Sequence, residues 1–160
     1  MKNFIISLLA IVFTLQVSAQ NFFDNYKVDR YDSKNGMPTD FIMNAYQTKE
    51  GFIWMNTYNG YLRFDGKQFV NFNSSNTPLL KTDNNISLFT ESEDSTLWLP
   101  TGTGLLSYKN GVFKSYLTDF PNLFFMGKTS IGELILISTA ISKKNLLLVF
   151  NPKTHQYNNV

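Results

Sequence analysis

Beyond residue 40 the chain alternates short, largely apolar β-prone runs with polar turns that carry glycine. The runs 41–48, 52–57, 61–65 and 68–73 are separated by Lys49-Glu-Gly51, Tyr58-Asn-Gly60 and Asp65-Gly-Lys67. Asn-Gly and Asp-Gly are tight-hairpin dipeptides because both residues tolerate the positive φ that such turns demand. The pattern predicts four strands in a meander. A second set follows at 85–91, 96–100, 104–108 and 112–117, with Thr101-Gly-Thr-Gly104 and Asn110-Gly111 at the corresponding turns. In both sets the second run is apolar at consecutive positions, Ile53, Trp54 and Met55 and then Leu97, Trp98 and Leu99. A strand apolar on both faces is a strand covered on both faces.

The two sets are copies. Trp54 and Trp98, Thr57 and Thr101, Gly60 and Gly104, Phe64 and Tyr108, and Phe69 and Phe113 are each 44 residues apart. A period of about 40–50 residues with one tryptophan and glycine-marked turns is the sequence trace of a β-propeller blade. Each tryptophan is expected to wedge between adjacent blades, the alternative being a stacking platform for a sugar. A worn third copy can be laid over 123–127, 133–139, 146–150 and 155–158. Gly132 stands for Gly51, Ile135 for the tryptophan, Phe150 for Phe64 and Tyr108, and Tyr157 for Phe69 and Phe113, while the spacing from Trp98 to Ile135 shrinks to 37. Ahead of the first copy, Tyr26-Lys-Val-Asp-Arg-Tyr31 alternates like an outermost strand without a blade of its own, of the kind that closes a propeller ring.

The expected fold is therefore all-β, a partial β-propeller of about three four-stranded antiparallel blades. The expected segments are a closing strand within 20–34, blades at 35–75 and 76–120, and a degenerate blade at 121–160. Residues 1–19 read as a secretory signal, with Lys2, an apolar core over 4–13 interrupted by Ser7, and Val17-Ser-Ala19 before a cleavage site. That apolar core is shorter than the ~20 residues a membrane helix needs, and no later segment comes closer. An exported, periplasmic chain beginning at Gln20 is the expectation.

Composition fits a globular β protein: 43% of residues are hydrophobic, 16% charged and 16% aromatic, with 15 Phe and 8 Tyr to fill the space between stacked sheets. The formal charge of +2 is not gathered into any basic run, so nucleic acid is not an expected partner. Cysteine is absent, which removes disulfides and thiolate metal sites.

With those residues in place, the sequence resembles the two-component regulator propeller repeats of the exported N-terminal halves of bacterial hybrid histidine kinases. The likeness lies in Lys49-Glu-Gly51-Phe-Ile-Trp54-Met-Asn-Thr57, in Gly60-Tyr-Leu-Arg63-Phe64-Asp65-Gly66, and in the lead-in Asn35-Gly-Met-Pro38. The resemblance implies a sensor ectodomain, with further blades, a β-sandwich, a membrane helix and kinase parts beyond it, often answering to oligosaccharides. This chain departs from the pattern at Asn56 and Pro100, where the family prefers glycine, and throughout the third copy. Pro100 has no N–H to give to a ladder, so its strand is expected to end or bulge there.

No catalytic constellation is visible. The single histidine, His155, lies near the C-terminus with Glu133 as the sole acid after Asp119, and reads as a surface residue. Glu91-Ser-Glu93-Asp94 matches no calcium loop and reads as a solvated hairpin tip. Gly102 and Gly104 lack the helix and Gly-Lys-Ser/Thr of a phosphate loop. No cofactor or metal is expected, and binding is favoured over an enzyme such as a propeller lyase. Tyr58, Asn59, Thr101 and Thr103, in the turns after the tryptophan strands, combine an aromatic face with amide and hydroxyl groups suited to an oligosaccharide or other small ligand. Ordinary turn chemistry explains the same residues. Arg63 could pair with Asp65 or with a neighbouring blade. Three blades fall short of the about four to eight in a ring. Two functions follow, either the leading part of a longer sensor propeller or a stand-alone binding protein whose copies complete each other's ring.

Overall fold

A computed structural model describes residues 27–83, 85–139 and 144–160, and the proposed signal peptide lies outside them. Among the described residues, β1 (Asn44–Gln47), β2 (Ile53–Thr57), β3 (Gly60–Phe64) and β4 (Phe69–Phe72) form one antiparallel sheet in sequence order. The second sheet consists of β5 (Thr90–Glu91), β6 (Leu97–Thr101), β7 (Gly104–Lys109) and β8 (Val112–Tyr116). The third holds β9 (Leu123–Lys128), β10 (Leu134–Ser138), β11 (Leu146–Phe150) and β12 (Tyr157–Asn159). Each is a four-stranded meander, so the chain is all-β and carries the blades of a partial propeller.

The repeated residues recur because they solve one problem twice. At the β2–β3 turn Thr57 Oγ1 donates to the Gly60 carbonyl (3.0 Å) and accepts from the Asn59 N–H (3.0 Å). At the β6–β7 turn Thr101 Oγ1 donates to the Gly104 carbonyl (2.9 Å) and accepts from the Thr103 N–H (3.1 Å). Gly60 and Gly104 sit at φ +100° and +131°, and a Cβ on them would meet the Phe72 carbonyl oxygen at 2.1 Å and that of Tyr116 at 2.8 Å. Only glycine admits both the backbone conformation and the close approach. The β1–β2 turn recurs three times: Gly51, Ser95 and Gly132, all at positive φ, donate their N–H to the carbonyls of Thr48, Ser92 and Thr129.

Packing between sheets follows from strand alternation. Trp54 and Tyr61, on one face of the first sheet, cluster with Leu97, Leu99 and Leu106 of the second. On the second sheet's other face Trp98 and Leu105 cluster with Leu134, Leu136, Leu148 and Phe150 of the third. Each tryptophan is thus a wedge between blades, 1–2% exposed, and full burial of a large apolar side chain contributes on the order of 1.5–3 kcal/mol. The register of the third sheet, with Leu134 opposite Phe150 as Leu97 is opposite Tyr108, places Ile135 at the tryptophan position. β9 and β10 slip register between Ile135 and Leu136, a bulge that accompanies the worn sequence. On the first sheet's outer face Met55 and Leu62 pack with Met37.

Three expectations need correction. β6 does not end at Pro100: it runs through to Thr101, with Pro100 opposite Leu105. Thr101 closes the hairpin toward β7, so by alternation the missing N–H of Pro100 faces the β5 side. It is β5 that stops short, holding two pairs where β1 holds four. The expected run 85–91 therefore enters the sheet at Thr90. Residues 27–31, most of the expected closing strand 26–31, carry no strand; a strand exists only by pairing, and this segment belongs to a unit separate from Asp32–Val160. Residues Ser33–Asn35, at the junction of the segments assigned to the closing strand (20–34) and the first blade (35–75), form a turn of 3-10 helix.

Candidate functional site

A meander places its turns alternately at two ends of each sheet. The β2–β3 and β6–β7 turns share one end with the connections that lead from each blade to the next. The other end carries the β1–β2, β5–β6, β3–β4 and β7–β8 turns. Tyr58, Asn59, Thr101 and Thr103 therefore fall at corresponding ends of their two blades. Thr101 is buried and its hydroxyl is committed to the turn. Tyr58 is 57% exposed, with one ring face stacked on Phe41 at 4.6 Å. The turn uses Asn59 and Thr103 through their backbone N–H groups, and both residues are exposed.

Behind these tips lies a polar network that sequence reasoning did not single out. Asn56, fully buried, donates through Nδ2 to the carbonyls of Asn85 (2.8 Å) and Ser87 (2.6 Å), while its Oδ1 is buried without a partner. Asn85 Oδ1 accepts from the Gly102 N–H, and the Gly102 carbonyl accepts from the Asn122 N–H. Ser87 Oγ accepts from the Phe125 N–H (2.9 Å). Residues 85–87 thereby tie all three blades together, and a cavity of about 130 Å³ lies between them, Gly102 and Asn122. The signal was the departure at Asn56. An amide fixed where glycine is usual must find partners when buried, and the irregular approach to β5 supplies them.

At the opposite end the acidic run is more than a solvated tip. The buried Glu91 accepts from the Lys49 N–H (2.8 Å), and Lys49 Nζ donates to the Ser92 and Glu93 carbonyls. Lys128 of β9 donates to the Glu91 carbonyl, and Lys153 pairs with Glu93 at 3.0 Å. Asp94 pairs with Lys109 at 2.7 Å and accepts from Ser92 and Thr96. Partial burial opposes ionisation of Asp94, but these donors outweigh it and hold the carboxyl well below the usual carboxylate range. The run is a junction of lysines from all three blades, and no His, Cys, Asp or Glu group among the described residues is arranged to hold a metal. Tyr61, fully buried with its hydroxyl donating to the Pro100 carbonyl (3.3 Å), has its phenol pushed up by desolvation. Arg63 turns to the neighbouring blade, donating to the Tyr108 hydroxyl at 2.6 Å. His155 is exposed, its ring 4.8 Å from that of Tyr116. No helix among the described residues is long and apolar enough to cross a membrane.

No family model and no curated protein matches the chain. Among solved structures it is similar to the extracellular domain of BT3049, named as a hybrid two component system of B. thetaiotaomicron. That likeness has a TM-score of 0.62 and 19% identity over 82% of this chain. It is also similar to the extracellular domain of BT4673, named as a one component system of the same organism, with a TM-score of 0.63 and 15% identity over 82% of this chain. This chain spans 18% and 17% of the length of those two. At these identities the shared property is the fold.

Proposed function

We propose that this chain supplies leading blades of an exported, ligand-sensing propeller of the two-component regulator kind, with no catalysis of its own. The observation that carries the reading is the blade array itself. Three meanders meet through equivalent faces, in the arrangement shared with extracellular domains of signalling proteins, and one end presents Tyr58, Asn59 and Thr103. Loops on a rigid scaffold are where recognition residues concentrate. A sugar ring against the open face of Tyr58, with Asn59 and Thr103 on its hydroxyls, is the contact that fits this end.

A thermal-shift screen of the full chain against neutral oligosaccharides, repeated on Y58A and T103A, tests the reading. A stabilising oligosaccharide whose effect is lost in both variants supports it, and a hit indifferent to both moves the site elsewhere. Fractionation of the expressing bacterium with N-terminal sequencing tests export: the mature chain is expected to begin at Gln20.

The partners follow from the face of the third blade that corresponds to the Trp54 and Trp98 faces. Ile135, Ile137, Leu147 and Val149 share it through their register. In the first two blades this face packs against the next blade. A following blade is its natural cover, and in a stand-alone protein a second copy would take that place. Light scattering on the purified chain separates the two, a discrete dimer favouring the second copy.

A further inference from the structure

The repeat supplies an internal reference for each gap between blades. In the first gap Arg63 stands in one cross-strand row with Trp54 and Val70. Its guanidinium lies 4.7 Å over the Phe52 ring and 5.9 Å from that of Phe72, and it donates to the Tyr108 hydroxyl. The space left beside Phe52, Trp54 and Tyr108 is about 10 Å³, and Arg63 separates it from a cavity of about 360 Å³ farther along the gap against Val70, Phe72 and Phe113. In the second gap, 44 residues on, the same row reads Trp98, Ser107 and Lys114, and Thr96 stands where Phe52 stood. Here a cavity of about 380 Å³ opens, within the range of about 300–1,000 Å³ typical of small-molecule sites.

A packing defect made by truncation alone would be lined by apolar groups and would simply destabilise the core. This cavity is lined differently. Tyr116, half-buried and backed by the buried Trp98 5.3 Å away, forms an aromatic wall with His155 at its edge, the buried Thr96 and Ser107 make the polar part of the lining behind it, and the exposed Lys114 brings a cation. The one carboxylate in the lining, Asp94, is already held by Lys109. The exposed Lys114 has no ion pair among the described residues, so the cavity carries a net positive charge.

We propose that the gap between the second and third blades binds a small carboxylate-bearing ring compound. Its ring lies against Tyr116, which is backed by the buried Trp98, and its carboxylate pairs with the exposed Lys114. The site lies at the end of the blades opposite Tyr58 and Thr103 and is independent of any ligand there. A cationic ligand copying Arg63 is disfavoured, because it would meet Lys109 and Lys114.

Isothermal titration calorimetry of the full chain with D-glucuronate, benzoate and D-glucose tests this. Saturable binding of either acid, at least tenfold tighter than that of D-glucose, is expected, and which acid binds tells a sugar ring from an aromatic one. S107R restores the arginine of the first gap and should abolish binding. K114Q, a conservative change at an exposed position, should weaken it about tenfold, which keeps the test decisive if S107R fails to fold. Absence of binding by both acids, equal binding of D-glucose, or unchanged affinity in K114Q or a folded S107R overturns the proposal.

Discussion

The first and second gaps between blades share their backbone pattern and their tryptophan, yet the space beside Trp54 is closed by Arg63, leaving a cavity only farther along at Val70, Phe72 and Phe113, whereas the cavity of the second gap runs up to Trp98 and Ser107. Around Trp54 the aromatic rings of Phe72 and Tyr108 lie at 5.2 and 4.7 Å, and Arg63 fills the remaining space. Around Trp98 the rings of Tyr116 and Phe150 lie at 5.3 and 5.1 Å, but Ser107 leaves the outer part of the gap vacant. The lesson concerns which positions specify the fold. Trp, Thr and Gly hold blade, turn and wedge in place in both copies, and so they repeat. The Arg63/Ser107 and Val70/Lys114 positions line the gap without determining the register, and so they are free to diverge.

The most severe way to break the comparison is at its shared center. Trp54→Ala should cost about 4 kcal/mol, since the closed space beside it has little freedom to collapse around the void. Against a typical total of about 5–15 kcal/mol, that leaves a marginal fold. Trp98→Ala removes the same side chain beside an existing opening, and its cost should be about 1 kcal/mol smaller. Urea denaturation of both variants measures the difference. Equal losses would mean that the second gap is as tightly packed as the first.

The turns sharpen the comparison at the next level. Gly60→Ala would drive a Cβ to 2.1 Å from a backbone oxygen, and Gly104→Ala to 2.8 Å, both at positive φ. The first should cost about 3 kcal/mol and the second about 2 kcal/mol, because backbone can yield by tenths of an ångström but not by a whole one. Matched midpoints in denaturant would show that the two turns are equally tight.

How much of this could be read in the sequence depends on whether a feature is local. The hairpins were legible because Asn-Gly, Asp-Gly and the Thr–Gly spacing encode turn geometry within four residues, and even the worn third blade kept Gly132 and Phe150 in register. The consequence of Pro100 was misplaced because proline affects the partner its missing donor faces, and that direction is fixed only when Thr101 closes its hairpin. The closing strand over 26–31 could be legible only as an alternating pattern, since whether such a segment pairs depends on what lies beside it. The Asn56–Asn85–Ser87 network was hidden because it links residues about 30 apart through backbone carbonyls, which no side-chain pattern reveals. The open gap was legible in principle. Ser107 and Lys114 stand 44 residues after Arg63 and Val70, but their meaning required knowing that these rows face the next blade.

A smaller effect is expected where Arg63 crosses the first gap. Arg63→Ser should cost about 2 kcal/mol, combining loss of a charged hydrogen bond with loss of contact to Phe52 and Phe72. Tyr108→Phe should cost about 1 kcal/mol, leaving the guanidinium in place without its acceptor. In the double variant the two losses should fall short of their sum, the non-additivity expected of direct partners. Strict additivity would show that Arg63 acts by bulk alone.

The smallest effect separates the gaps by pH. Asp94, at the rim of the open gap, is lowered in the folded state by Lys109, Ser92 and Thr96, so the unfolded chain takes up its proton first as pH falls. Its contribution to stability is therefore complete above the unfolded carboxylate value of about 3.9 and is lost as pH descends through the folded one. The carboxylate is well exposed, which screens the pair and keeps the contribution small. In denaturation midpoints followed from pH 6 downward, Asp94→Asn should flatten part of the acid limb, and Lys109→Gln should flatten it by the same mechanism from the other side of the pair. Other lowered carboxyls, Glu93 and Asp65, keep the limb from vanishing in either variant. If the acid limb of Asp94→Asn superimposes on that of the parent chain, the junction of lysines and acids at this end positions the blades without contributing through its charge.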